Sequence, residues 1–470
     1  MQKYLIKNIH IINEGRLYFS DVLISNERIE KIEPNISAKH NVIEIDGEGK
    51  YLLPGIIDDQ VHFREPGLTH KANIYTEAKA AIAGGVTSFM EMPNTIPPAF
   101  TQDLLEEKYN IASQTSLANY SFFMGTSNVN VDEVLKTNDK KSKVCGIKIF
   151  MGSSTGNLLV DNFLTLDKIF AETELLIATH CEDEEIIKQN LLTLRQKKNV
   201  LEVSDHPIVR NEEACFESSF KAVQLAKKHN SRLHILHIST AKELQLFSPA
   251  SFAGLQLKDK SITAEVCVHH LHFTANDYAA FGNLIKCNPA IKAPHHREAL
   301  WEGLLNDQLD VIATDHAPHL LEEKLPNNEA FHKSWPLRDG KASPMGGGLE
   351  GAVGIPLVQH SLLLMLFYYK QGKISLEKIV QKMSHAVADC FKIKERGYIR
   401  EGYFADLVVI DFTQSTSITK ENIMYKCGWS PFEGQTFPAA ITHTFVNGNL
   451  IWENSIWNES IKGKRLLFNR

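Results

Sequence analysis

Between Tyr4 and Ile45 apolar and polar positions alternate in short runs, YLIKNIHII, DVLISN and RIEKIE, separated by Asn13-Glu14-Gly15 and Ser25-Asn26-Glu27. A period of two with Asn and Gly at the breaks predicts short strands joined by turns, hence a small antiparallel sheet. After Pro54-Gly55 the rhythm changes. Apolar runs now alternate with stretches such as 73–83, 211–228 and 295–306, where apolar residues recur every three or four positions, and this predicts βα units around a parallel sheet. Eight strand candidates end near His62, Asn94, Thr126, Met151, His180, His237, His272 and Asp315. The fold class expected is therefore α/β, a (β/α)8 TIM barrel. Towards the C-terminus Gly402–Asp411 and Thr442–Trp452 are strand-like again, the second with a hairpin turn at Val446-Asn447-Gly448-Asn449. The chain is expected to return to its first sheet, giving a small flanking antiparallel β domain built from both termini (residues 1–53 and 397–470) around a barrel of residues 54–396.

Composition narrows the class of partner. The chain has 470 residues, 43% hydrophobic and 23% charged, with a formal net charge of −6. Its Lys and Arg are scattered, so there is no basic stripe for nucleic acid and no polybasic patch for a membrane surface. A small-molecule substrate is expected. Met1–His10 lacks the apolar core of a secretory signal and the apolar run 362–369 is too short to span a bilayer, so a cytoplasmic location is expected. Seven cysteines at irregular spacing, with no C-x-x-C pair, argue against a disulfide framework and against a thiolate zinc site.

Chemistry on such a barrel gathers at the C-terminal ends of the strands, where the variable loops lie. Six of the eight expected ends carry a polar candidate: His62, Asn94, Lys148, His180, His237 and Asp315. Histidine nitrogens and a carboxylate converging on the barrel axis suit zinc or a similar divalent ion. A single barrel histidine is more often structural than a ligand, and a protonated lysine cannot ligate a cation. Lys148 could join a metal site only as a carbamate formed with CO2.

Two segments, IIDDQVHFREPG (Ile56–Gly67) and ATDHAPH (Ala313–His319), resemble the signature segments of dihydroorotases in the amidohydrolase superfamily, nearer the class I branch. MPNT (Met92–Thr95), KIFMGSSTG (Lys148–Gly156), THCED (Thr179–Asp183), LHIST (Leu236–Thr240) and KCNPAIK (Lys286–Lys292) match further family segments in the right order. The resemblance implies a binuclear site with one or two Zn2+ per subunit. His62 would hold the first ion, Lys148 as its CO2-derived carbamate would bridge both, and His180 and His237 would hold the second. Asp315 would complete the first and serve as catalytic base and acid.

The same resemblance implies reversible hydrolysis of (S)-dihydroorotate to N-carbamoyl-L-aspartate in de novo pyrimidine (UMP) biosynthesis by metal-activated hydroxide. Arg64 would clamp the substrate carboxylate with Asn94, His319 would add a second contact to it, and Asn288 would touch the ring. Lys341–Gly351 resembles a glycine-rich loop whose backbone contacts the ring, with Pro344, Met345 and Gly346 as the stretch concerned. The bland alternative for Arg64 is a salt bridge to Glu65 or Glu91. A homodimer, and association with aspartate transcarbamoylase, are the partners the resemblance implies. Two rival readings stay open: a hydantoinase or allantoinase, sharing the barrel and metals but needing no carboxylate clamp, and a non-catalytic scaffold.

One position departs from the family. Its first segment normally reads Asp-x-His-x-His, whereas this chain reads Asp58-Asp59-Gln60-Val61-His62. Glutamine offers only a carbonyl oxygen, a weaker zinc ligand than imidazole. Gln60 could hold the first ion directly or through water, the first site could be weak, or the protein could be inactive. On a regular strand Asp59 points away from Gln60 and could take no part without a bulge.

Overall fold

The computed structural model describes residues 2–37, 41–152, 158–254, 256–325, 349 and 351–470. Lys3–Asn13 pairs antiparallel with Arg16–Ser25, which pairs with Arg28–Glu33, through the expected turns at Glu14-Gly15 and Asn26-Glu27. On its other side Lys3–Asn13 meets Tyr51–Pro54, followed in the sheet by Leu407–Asp411, Ala440–Val446, Asn449–Glu453 and Ile456–Trp457. Strands from both ends of the chain thus form one sheet, and the turn at Asn447-Gly448 falls where the sequence placed it.

The barrel strands are Ile56–Val61, Val86–Glu91, a third interrupted at Phe123 (Asn119–Phe122 and Met124–Gly125), Ile147–Phe150, Ile177–His180, Leu233–Ile235, Ile262–Cys267 and Val311–Ala313. All neighbours pair in parallel, and a bridge between Val61 and His316 joins the last strand's end back to the first. This is the expected α/β barrel. The helices begin where polar caps stand: Asn73 forms a capping box with Thr76 ahead of Ile74–Ala83, and Asp183 and Asn211 accept from the first backbone N–H groups of Glu184–Lys197 and Glu212–His229. Among the described residues no helix is long and apolar enough to cross a membrane, and all seven cysteines are unpaired.

Three local features differ from the sequence reading. The seventh strand stops at Cys267, and His272 ends a short helix, Val268–His272. The run VCVHHLH is apolar with either period, and tertiary bonds decide it: the Trp301 indole N–H donates to Leu271 O and the Tyr368 hydroxyl meets His272 Nδ1. The end of the chain leaves the terminal sheet. Arg465 bridges Tyr120, Phe468 bridges Ile393, and Leu466 and Phe468 pack with Ile57, Met90, Phe123 and Phe391 in the lower barrel core.

The third difference sits in the first barrel strand. Asp58 lies opposite Phe89, but Val61 lies opposite Glu91, so three steps on one strand match two on its neighbour. One extra residue is accommodated at Asp59-Gln60, which is a bulge. Asp59 consequently reaches His234 and Asp315 is met by Gln60, and since His234 belongs to the non-adjacent sixth strand, the Asp59 side chain must cross the barrel interior.

Candidate active site

The mouth of the barrel holds one cavity lined by Gln60, His62, Arg64, Asn94, Lys148, His180, His237, Asn288, Asp315 and His319. These are the described sequence candidates, brought together from seven different strand ends and loops. Pro344, Met345 and Gly346 lie outside the described residues. Three of the lining residues, Arg64, His237 and Asp315, have φ of +69°, +41° and +49°. Left-handed backbone is costly for residues with a Cβ and tends to persist where it aims functional side chains. No sequence pattern announced it, since none of the three is Gly.

Two groups of polar atoms face each other across the cavity floor. On one side His62 Nε2 lies 3.1 Å from Asp315 Oδ1 and its Nδ1 lies 2.7 Å from Asn94 Oδ1. Gln60 donates its amide to the same Asp315 oxygen at 3.0 Å, while its carbonyl faces the Cys267 thiol at 3.8 Å. On the other side His180 Nδ1 and His237 Nε2 are 3.0 Å apart with rings edge to face, as two ligands of one ion would stand. His237 Nδ1 is buried without a partner. Burial pushes His237 well below the usual imidazole range, so it is neutral and able to ligate.

Around these ligand candidates the structure supplies fixed supports. Glu182 Oε2 holds His180 Nε2 at 3.1 Å and pairs with Arg210. Burial alone would raise the Glu182 carboxyl, yet Arg210 and His180 hold it down to about 2. Lys148 is 1% exposed, with its Nζ 4.5 Å from the Phe150 ring centre. Burial pushes its ammonium down to about 7 against the pull of Asp315 and Glu265, which makes the neutral amine accessible. Only that amine adds to CO2, so the donor set of imidazoles, carboxylate and lysine fits a divalent metal centre with a carbamate.

Above this floor stands a cationic edge. Arg64 donates from Nε to Pro318 O at 3.2 Å, and its Nη2 lies 3.0 Å from His319 Nε2. Glu65 is spent on the backbone N–H of Ile74, and Glu91 pairs with Lys108 and accepts from Phe63 N. Among the described residues no carboxylate lies within ion-pairing distance of Arg64, although it is buried. The salt-bridge alternative is thereby set aside. Burial lowers the Arg64 guanidinium to about 10, which still leaves it charged.

Some site residues carried no sequence signal. Lys71 Nζ approaches His319 Nδ1 at 3.2 Å from a turn, and His206 Nε2, at the start of the short helix His206–Val209, approaches Asn288 Oδ1 at 3.0 Å, each orienting a substrate-binding candidate. Lys324, fully buried, donates to the carbonyls of Lys286, Ala352 and Gly354 at 2.8 to 2.9 Å and so ties the last described cavity wall together. Nothing in the spacing of HPIVRN or LEEK marks these roles.

Comparison with known proteins places these features. The amidohydrolase family model matches residues 51–451. A dihydroorotase of Methanosarcina acetivorans is 32% identical over 462 residues, covering 96% of this chain and 92% of the relative, and one of Carboxydothermus hydrogenoformans is 32% identical over 456 residues, covering 96% and 98%. Among solved structures, the L-hydantoinase (dihydropyrimidinase) of Arthrobacter aurescens superposes with a TM-score of 0.87 at 24% identity, covering 97% and 98% of the two chains. The dihydropyrimidinase of Brevibacillus agri gives 0.84 at 22% identity over 100% of both. At those identities the structures share the fold.

Proposed function

Because the chain belongs to the amidohydrolase family and is a hydrolase acting on cyclic amides, we propose that it is a dihydroorotase. The reaction would be reversible hydrolysis of (S)-dihydroorotate to N-carbamoyl-L-aspartate, within pyrimidine synthesis. The observation that carries this reading is Arg64: a buried guanidinium in the cavity wall, beside His319, with no carboxylate of the described residues within ion-pairing distance. A buried charge with no counter-charge among the described residues is costly, and the substrate carboxylate would supply one. A neutral hydantoin or dihydrouracil supplies none.

His62 and Asp315, with Gln60 as a further candidate, and His180 and His237 would hold one or two Zn2+, with Lys148 as a carbamate between them. When bound, such ions supply a water acidified to a pKa of about 7 and a polarised carbonyl. The protein's own groups do the rest. Asp315, fixed by His62 and Gln60, stands ready to accept the proton of the attacking water and return it to the ring nitrogen as the amide bond breaks. Arg64, Asn94 and His319 hold the substrate carboxylate, and Asn288, steadied by His206, meets the ring. Run backwards, the same groups close the ring.

Arg64→Ala tests this reading. Removing one partner of a buried charge pair costs about 2–5 kcal/mol. The expected result is loss of kcat/KM for dihydroorotate on the order of a hundredfold or more, with metal content unchanged. Unaltered turnover would remove the clamp and reopen the hydantoinase reading.

A further inference from the structure

Behind His237, on the side away from the cavity, lies a second group of ligand-type side chains that the reaction above does not use. Asp59, His234 and Glu265 are each 0% exposed, and one ligand atom from each lies within 4.8 Å of the others. His234 Nε2 stands 3.1 Å from Asp59 Oδ2 and 3.6 Å from Glu265 Oε2. Neither contact has hydrogen-bond geometry: His234 Nε2, both Asp59 oxygens and Glu265 Oε2 are all buried without a hydrogen-bond partner. Orphaned buried polar atoms are rare, and four around one point call for an occupant.

The remaining atoms of the three residues are spoken for, and they fix the direction of the free ones. The Thr263 hydroxyl donates to Leu233 O, so it must accept from the Nδ1–H of His234 at 2.7 Å. That bond occupies Nδ1 and leaves Nε2 to face the two carboxylates, which, against burial, raise the imidazole to about 9 so long as a proton fills the place; an ion there would displace that proton from a ring already oriented by the bond behind it. Glu265 Oε1 accepts from His237 N at 3.0 Å and from the Cys267 thiol at 3.3 Å, leaving Oε2 for the centre. Asp59 is present only because of the bulge that follows Asp58.

Geometry and charge then select the class of ligand. Zinc bonds of about 2.0–2.1 Å in a tetrahedral site place ligand atoms about 3.3 Å apart, and 3.1 and 3.6 Å bracket that spacing. Two ionised carboxylates around one imidazolium would leave a net negative charge in a fully buried site, which is expensive and pushes the Glu265 carboxyl up. A dication with a neutral imidazole leaves none. We propose that Asp59, His234 and Glu265 bind a divalent cation of the zinc type inside the barrel, a site separate from the one at His180 and His237. The second Asp59 oxygen or a water would complete the shell. Through Glu265 and the His237 backbone, and through the bulge, this ion would brace both His237 and Gln60 from behind. The inference does not depend on which cyclic amide the cavity opens.

The test is a crystal of the full-length protein loaded with zinc, measured on both sides of the zinc absorption edge. The expected map has anomalous density about 2.0–2.2 Å from His234 Nε2, Asp59 and Glu265. It is distinct from any density at His180 and His237, whose absence would count against the proposed catalytic centre and not against this site. Metal analysis of Asp59→Asn should show about one zinc equivalent fewer per chain than wild type. Where that variant fails to fold, the wild-type map decides alone. No anomalous density among Asp59, His234 and Glu265 in zinc-loaded crystals would overturn the proposal and leave a cluster held by protons or water.

Discussion

Glu91 and Lys108 are both buried, 3.0 Å apart, and Glu91 also accepts from the backbone N–H of Phe63, next to Arg64. Burial pushes the Glu91 carboxyl up and the Lys108 ammonium down, so each depends on the other to stay charged. Breaking a buried pair from one side leaves an uncompensated charge and costs about 3–5 kcal/mol. Lys108→Met should therefore lower stability by that amount in urea denaturation, and adding Glu91→Gln should restore more than half of it. A double variant no more stable than the single one would show that Lys108 acts through packing instead. At this scale the ligand candidates were legible because histidine, lysine and aspartate at strand ends are chemically distinctive. Arg210, Lys71 and His206 were not, because their roles depend on what the folded chain places beside them. Asp59 is the instructive case: alternation on a regular strand sends it away from the interior, and only pairing with the neighbouring strand reveals the extra residue.

The elements themselves were legible where periodicity is long and capped, as in Ile74–Ala83 with Asn73 ahead of it. Short apolar runs were not: the pattern predicts a strand ending near His272, but period alone cannot separate strand from helix in five residues, and Val268–His272 is a helix. The loop after the first barrel strand shows what fixes an element's path. Gly67 has φ +85°, and a Cβ there would stand 2.0 Å from the Ile96 carbonyl oxygen, a contact no rotamer can relieve. Gly67→Ala must push the Arg64–Gly67 loop off its neighbour and carry the guanidinium with it. We expect a stability loss of about 2 kcal/mol or more, with kcat/KM for dihydroorotate falling at least about tenfold. Wild-type kinetics in this variant would mean that the loop does not set the position of Arg64.

Across the whole molecule, the sheet assembled from both ends was legible because strand patterns bracket the barrel pattern in the sequence. The return of Leu466 and Phe468 to the barrel floor was not, since a few apolar residues at a chain end carry no address. The fold is common ground between this chain, whose sequence is similar to dihydroorotases, and the hydantoinases on which it superposes. On the proposed reading the carboxylate on the ring is what Arg64 would recognise, and that contact is what would separate dihydroorotate from a neutral ring. The most direct measurement is a comparison of kcat/KM for dihydroorotate and dihydrouracil, the same ring without the carboxylate, on the zinc-loaded wild-type protein. The account predicts that dihydroorotate is preferred on the order of a hundredfold or more, in keeping with the worth of a buried charge pair. Equal turnover of the two rings, or a preference for dihydrouracil, would contradict it.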